Sequence, residues 1–196
     1  MARIKTTQDI SRKEVITEAA ATLFKEKGYK AASMRDLAEQ VGVEAASLYN
    51  HIKSKSELLH NICVQVANDF WEHIHEVENK KCTGVEKVEA ILRYHIREMI
   101  TNYEKVYVSD REWKHLTEPY LSNFHTQRRE YRKKVASIIE QGIHKGEIKP
   151  IDAPTAVLII LHAVSGIDSW HRSKQKISAA ELEANMVTIL IDGLRK

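Results

Sequence analysis

The sequence predicts an all-α fold, and three observations carry this prediction. First, 196 residues contain only three prolines and seven glycines, which leaves little room for the turns between short strands. Second, apolar residues recur three and four positions apart in segment after segment, as they do along one face of an amphipathic helix. Third, these segments begin at serine or aspartate and end near glycine or proline, the residue types that cap and terminate helices.

The composition is that of a soluble globular protein, with 43% hydrophobic and 29% charged residues. The sequence shows no apolar run that approaches the ~18 residues of a membrane-spanning helix and no signal-peptide core near the N-terminus. A cytoplasmic location without a membrane partner is therefore expected. The two cysteines, Cys63 and Cys82, fit separate thiols in a reducing compartment.

The first predicted helix begins at Ser11, which together with Glu14 has the spacing of a capping box. Gly28 is expected to end it, because glycine readily adopts the left-handed conformation found after helices. The broad apolar face of this helix is formed by Val15, Ile16, Ala19, Ala20, Leu23 and Phe24.

The stretch from Ser33 to Ile52 predicts two short helices joined by a tight turn. Ser33 and Asp36 form a second capping box, and Gly42 stands where the turn needs a positive φ. The second helix leaves its polar residues facing outward. This is the helix-turn-helix plan, whose second helix enters the major groove of DNA. The alternative is a plain pair of core helices around a glycine turn.

The distribution of charge favours the DNA-binding interpretation. Residues 1–55 hold ten Lys and Arg against seven Asp and Glu, whereas the remaining 141 residues hold twenty of each. The excess of positive charge therefore lies in the segment with the reading helix, as contacts to phosphates require. Residues 1–10 are predicted to form a flexible arm that reaches neighbouring DNA, or simply a frayed terminus.

Further amphipathic helices are predicted in the rest of the chain. The fourth follows a cap at Ser54 and Glu57 and runs to about residue 77, well beyond the first segment. The fifth, sixth and seventh are expected at about residues 85–103, 105–116 and 120–145.

The last two predicted helices suggest an assembly. Asp152 is an N-cap for the eighth, whose residues 156–161 are apolar almost all round, and Ser178 with Glu181 caps the ninth. A helix that is apolar on every side needs a second partner. Two such helices from each protomer would form a four-helix interface with two-fold symmetry. The alternative is a buried central helix of a monomer.

A longer motif surrounds the helix-turn-helix. Its residues are Phe24-x-x-x-Gly28-Tyr29, Leu48-Tyr49-x-His51 and Lys53-x-Lys55-x-x-Leu58. This motif, over about the first 60 residues, resembles the tetracycline-repressor (TetR) family of transcriptional regulators. The resemblance implies about nine helices, with a DNA-binding domain at residues 1–55 and an effector-binding and dimerisation domain at 56–196. It also implies a homodimer through the last two helices and a repressor that a small hydrophobic effector releases from a palindromic double-stranded DNA operator.

The same resemblance implies which side chains meet DNA. In family members the tyrosine and its neighbours contact phosphates or bases, and a lysine in the position of Lys55 meets the backbone. Arg35 can bind a guanine edge with two hydrogen bonds. Departures such as Glu44 and Asn50 are expected to change which bases are read. The predicted DNA-binding residues are Ser33, Arg35, Ala45, Ala46, Ser47, Tyr49, Asn50, His51, Lys53 and Lys55.

Helices five to eight carry aromatic and polar side chains among apolar ones, the composition of an effector pocket. At helical spacing such residues can equally be core. The candidate ligand-binding residues are His95, Tyr103, Tyr107, Trp113, Phe124, Arg128, Tyr131, His162 and Trp170.

A second resemblance concerns the class of effector. The segments that carry it are Trp113-Lys114-His115-Leu116, Arg128-Arg129-x-Tyr131, Gly142-x-x-x-Gly146 and Trp170-His171-Arg172. They look like the TetR branch that responds to acyl-CoA esters, and Arg128, Arg129 and Arg132 could meet the CoA phosphates. The alternative for this basic run is a solvated helix face. The branch usually continues with Pro-Gly-Gly, where this chain has Ser173-Lys174-Gln175.

An enzyme is not expected, and neither is a metal or cofactor. The sequence contains no HExxH, GxSxG, Walker or GxGxxG motif. His73 and His75 would project from a helix in different directions, because neighbours on one face are three or four residues apart. The alternative function is a helical ligand-binding or adaptor protein that does not bind DNA.

Overall fold

The computed structural model describes residues 12–173 and 177–195, and these residues form helices with no β-strand. The all-α prediction is confirmed. The predicted arm at residues 1–10, the cap at Ser11 and the departure at Lys174 and Gln175 lie outside the described residues. The α-helices are α1 (Arg12–Lys27), α2 (Met34–Val41), α3 (Ala45–Leu48), α4 (Lys55–Glu78), α5 (Gly84–Thr101), α6 (Tyr103–Arg111), α7 (Tyr120–His144), α8 (Ala153–Ser165), α9 (Ile167–Arg172) and α10 (Ala179–Asp192), with a short 3-10 helix at Trp113–His115.

Local capping sets several of the helix starts. The Ser33 side chain accepts from the backbone N–H of Asp36, and the Asp36 carboxylate accepts in return from the N–H of Ser33. The same reciprocal arrangement begins α5 at Thr83 and Glu86 and α10 at Ser178. Each cap satisfies backbone donors that the helix itself cannot.

Several helix boundaries differ from the sequence prediction. The sixth helix ends at Arg111 instead of about residue 116 and is followed by the short 3-10 helix. The predicted fifth helix ends two residues early, at Thr101, because Asn102 leaves the helical conformation (φ −114°, ψ 35°). Tyr103 therefore begins α6 instead of ending α5. The predicted eighth helix is interrupted at Gly166, which separates α8 from α9. Counted as one helix, α8 and α9 bring the described α-helices to the predicted nine.

The buried residues form two apolar clusters that meet at α4. The head cluster joins α1, α2 and α3 to the first half of α4, where Leu58, Leu59 and Ile62 are fully buried. The body cluster joins the second half of α4 to α5, α7, α8 and α10. Because α4 contributes to both, one continuous helix connects the two clusters.

The stretch Ala153–Arg172 is long and apolar enough, by length and composition alone, to cross a bilayer, with a mean hydropathy of 1.3. The expectation that no run approaches this length was therefore wrong. Core helices of soluble proteins pass the same test, and here Val157, Ile160 and Val164 are buried against the body of the protein. One face of the stretch therefore belongs to the body cluster, and the other face, with Leu158 and Ile159, is exposed.

Candidate DNA-binding surface and effector cavity

The helix-turn-helix is held together from its apolar side. Gly42 adopts φ +73°, and its N–H donates to carbonyl oxygens at the end of α2. The chain then turns back, the N–H of Val43 donates to the carbonyl of Ala38 over 3.0 Å, and Leu48 of α3 is fully buried beside Leu37 of α2. This packing fixes α3 against α2 and leaves its other side in solvent.

Most of the predicted DNA-binding residues are exposed to solvent. Tyr49 is 54% exposed, and Ser47 and Lys55 are half-buried. The Ser33 hydroxyl is engaged in the cap of α2, where Lys27 also pairs with Asp36 at 2.9 Å. These hydrogen bonds and this charge lower the pKa of Asp36. The other exposed residues of the set are Ser33, Arg35, Ala45, Ala46, Asn50, His51 and Lys53.

Lys55 has a different environment from the rest of the set. Its ammonium group donates to the carbonyl oxygens of Tyr29 at 2.8 Å and Ala32 at 2.7 Å, and lies 3.4 Å from that of Lys30. It also lies 4.5 Å from the centroid of the Tyr29 ring. The lysine therefore fastens the loop between α1 and α2 to the start of α4.

A cavity of about 300 Å³ lies in the body of the protein, between α4, α5, α6, α7 and α8. Val66, Phe70 and Trp71 line it from α4, and Leu158 and Leu161 line it from α8. Its walls are therefore mostly apolar, as in small-molecule sites in general.

Five of the nine candidate ligand-binding residues line this cavity: His95, Phe124, Arg128, Tyr131 and His162. The other four lie elsewhere. Tyr103 donates its hydroxyl to the buried Asp168, and Tyr107 and Trp113 pack against the head cluster. The indole N–H of Trp170 donates to the carbonyl of Ile177 over 2.9 Å.

Several residues that line the cavity were not among the predicted ligand-binding residues. Phe70 and Trp71 lie on α4, outside the fifth to eighth helices on which the ligand-binding residues were predicted. Asp110 carried no signal in the sequence, because its importance comes from facing Arg128 across the cavity edge. Among residues 12–173 and 177–195, no group of three or more His, Cys, Asp or Glu could hold a metal ion.

His95 and Tyr131 form a neutral polar pair at the cavity wall. The His95 Nε2 atom lies 2.7 Å from the Tyr131 hydroxyl, and the imidazole stacks on Phe70 with ring centroids 4.3 Å apart. Burial lowers the pKa of His95 to about 3 and raises the pKa of Tyr131. The pair is uncharged at neutral pH and still has hydrogen-bonding capacity for a ligand.

Charged groups lie at one edge of the cavity. Arg128 of α7 pairs with Asp110 of α6 at 2.8 Å, and Arg132 lines the cavity one turn further along α7. Arg129, between them in sequence, is exposed and pairs with Glu130 instead. Of the three arginines with a predicted role at CoA phosphates, two face the cavity and one does not.

Two family models match the chain. Residues 16–62 match the model described as bacterial regulatory proteins, tetR family, and residues 81–194 match the tetracyclin repressor-like C-terminal domain.

Relatives and solved structures agree with these matches. The HTH-type transcriptional repressor KstR2 of Mycolicibacterium smegmatis is 23% identical over 189 residues, which cover 95% of this chain and 92% of that protein. The structure of KstR2 of Mycobacterium tuberculosis has a TM-score of 0.88 at 22% identity, covering 96% of this chain and 97% of that one. AibR in complex with isovaleryl coenzyme A and operator DNA has a TM-score of 0.80 at 25% identity, covering 92% and 98%.

The first of these models covers the predicted helix-turn-helix, and the C-terminal model covers α5, α6, α7 and α8, four of the five helices that line the cavity. The predicted family is therefore confirmed, and the protein belongs to the TetR family of helix-turn-helix transcriptional regulators, which are not enzymes.

Proposed function

We propose that the protein is a cytoplasmic homodimeric repressor that binds a palindromic operator and is released from it by a small hydrophobic effector. The observation that carries the proposal is the uncovered polar side of α3 and the turn after it, where Tyr49, Asn50 and His51 are exposed. In a symmetric dimer, two such helices roughly 34–36 Å apart meet successive major grooves on one side of the duplex.

Exposed apolar residues on α8 and α10 support the dimer. Leu158 is 54% exposed and Ile159 is 55% exposed, while Ile189 of α10 is 73% exposed. Large apolar side chains on the uncovered faces of two helices are typical of a subunit interface. Analytical ultracentrifugation of the wild type should give a dimer, and Ile189→Glu should shift it towards monomer. Val15→Glu is the matched control, since Val15 is exposed in the head and its change should leave the dimer intact.

The cavity supports a small hydrophobic effector, and an acyl-CoA fits its chemistry. A volume of about 300 Å³ is at the small end of ligand sites, so it would hold an acyl group while the nucleotide of CoA stays outside. The structural neighbour AibR was solved with isovaleryl coenzyme A and operator DNA, which favours the same class here. Differential scanning fluorimetry against acyl-CoAs, free fatty acids and hydrophobic drugs tests this assignment. A shift produced only by cationic drugs contradicts it.

The DNA-binding part is tested by selecting a duplex from a random-sequence library with the wild-type protein. The expected product is a palindrome with two half-sites one helical turn apart. DNase footprinting on the selected duplex should then show symmetric protection. A protein that enriches no sequence and binds every duplex equally weakly would instead be a ligand-binding or adaptor protein without operator recognition.

A further inference from the structure

The charges at the edge of the cavity are unbalanced. Two guanidinium groups, of Arg128 and Arg132, line the cavity one helical turn apart on α7. Asp110 pairs with Arg128 at 2.8 Å, but no carboxylate in residues 12–173 or 177–195 lies within ion-pairing distance of Arg132. Burial and the nearby charge of Arg128 lower the pKa of Arg132. This edge therefore holds one positive charge that lacks a counter-ion.

We propose that an anionic group of the effector, a carboxylate or a phosphate, binds Arg132 and displaces Asp110 from Arg128. Asp110 is then an internal substitute for the anion while the cavity is empty. This inference rests on the proposed function of the cavity as the effector site. It adds the charge that the effector must carry and the ion pair that binding breaks.

The geometry makes this exchange favourable. The side chains of Arg128 and Asp110 are 32% and 41% exposed, and ion pairs with that access to water contribute little stability. Arg128 is also held by aromatic rings, since its guanidinium lies 5.7 Å from the Trp113 centroid and 5.8 Å from that of Phe124. An anion that enters the cavity meets the guanidinium of Arg128, which the aromatic rings hold in place. It also meets the guanidinium of Arg132, which has no ion-pair partner among the described residues. A clamp of two arginines binds carboxylates and phosphates more strongly than one.

Displacement of Asp110 affects α6, a helix of the body that also contacts the head. Asp110 lies near the end of α6, and α6 packs along α1 of the head. Two ion pairs fasten this contact, Lys25 with Glu104 at 3.0 Å and Lys105 with Glu18. With Asp110 paired, α6 is tied to α7 at one end and to α1 along its length. An anion that replaces Asp110 removes the tie to α7 and so favours a different position of α6 and the head.

The anion requirement is tested by thermal shift with matched probes. We use octanoyl-CoA and octanoate as anionic probes, and octanoyl pantetheine and octanol as neutral ones, with the butanoyl and dodecanoyl series in parallel. Anionic probes should stabilise the wild type, whereas neutral probes of equal chain length should not. Response to octanoate identifies a carboxylate as the anion, and response to the CoA ester alone identifies a phosphate. Equal stabilisation by the neutral probes, or none by any anionic probe, overturns the proposal.

Variants then assign the anion to Arg132. Arg132→Gln should weaken binding of the responding probe by about tenfold or more, because a hydrogen bond between charged groups is lost. Arg129→Gln is the matched control, since Arg129 is the neighbouring exposed arginine on the same helix, and it should bind the probe as the wild type does. Equal affinities for the wild type and Arg132→Gln overturn the assignment.

The displacement is tested with Asp110→Asn, which removes the charge but keeps the size of the side chain. Without any probe, this variant should bind the library-selected duplex about fivefold more weakly than the wild type, in the range of ordinary allosteric coupling. Glu130→Gln, which removes an exposed carboxylate from α7, should bind as the wild type does. Unchanged affinity of Asp110→Asn overturns the displacement step. If the wild type itself selects no duplex, the proposed function fails, while the thermal-shift series still decides whether Arg132 binds an anion.

Discussion

The ammonium group of Lys55 lies 2.8 Å from the carbonyl oxygen of Tyr29 and 4.5 Å from the centroid of the Tyr29 ring. The same tyrosine stacks on His115, with centroids 5.6 Å apart, and its backbone N–H donates to Glu112 over 3.3 Å. The loop between α1 and α2 is thus held from one side by the start of α4 and from the other by the turn after α6. Lys55, for which a DNA contact is predicted, is therefore also part of the junction between head and body.

Lys55→Ala should therefore change both stability and operator binding. The substitution leaves three carbonyl oxygens without their charged donor, and we expect a loss of about 1–2 kcal/mol in the free energy of unfolding. Operator affinity should fall as well, because the loop and the start of α4 lose their fixed position. Urea denaturation and gel-shift titration measure the two effects. Lys53→Ala, which removes an exposed lysine two residues earlier, should keep wild-type stability, and equal stability of the two variants would contradict this role.

Tyr49→Ala should separate DNA binding from folding. The side chain is 54% exposed, so its removal should leave the melting temperature and the dimer unchanged. Loss of a phosphate or base contact typically costs about 1–3 kcal/mol, which corresponds to roughly tenfold or weaker binding of the selected operator. A gel-shift titration at moderate salt measures the affinity for the operator. An unchanged affinity counts against the assignment of this surface to DNA binding.

Gly84→Ala should destabilise the body without touching either site. A Cβ atom on Gly84 would lie 2.8 Å from the Cα atom of Gly142, so the start of α5 and the end of α7 would have to move apart. Such overpacking costs about 1–3 kcal/mol. Gly193→Ala is the matched control, since the contacts of its Cβ begin at 3.4 Å. Urea denaturation should show a loss for Gly84→Ala alone, and equal midpoints would show that the two backbones can separate freely.

The parts of the structure that could be predicted from sequence are those set by local chemistry. Ser33 and Asp36 are three residues apart, so their capping box follows from the sequence itself. Side chains from five helices line the cavity. Which residues line it depends on how these helices pack together, and local sequence does not show this. Arg128 and Arg129 are adjacent, but the helical rotation between them turns one towards Asp110 and the other into solvent. Tyr103 was misplaced because Asn102 ended α5 early.

The buried imidazole of His95 should make stability depend on pH. Burial lowers its pKa to about 3, whereas a histidine in the unfolded chain titrates near about 6.5. Below about pH 6.5 the unfolded state binds a proton that the folded state does not, so the free energy of unfolding falls as the pH decreases towards 3. The slope from this group is at most about 1.4 kcal/mol per pH unit.

His95→Gln, which keeps a hydrogen-bonding group beside Tyr131, removes this titration. Between about pH 7 and about pH 5, the wild type should lose about 1–2 kcal/mol more stability than this variant. Urea denaturation at the two pH values measures the difference. The contributions of the other histidines to the free energy of unfolding cancel in this comparison because both proteins carry them. His144→Gln removes an exposed imidazole and should behave like the wild type. If His95→Gln shows the same loss as the wild type, then His95 takes up its proton in the folded state, and the polar pair in the cavity is charged instead of neutral.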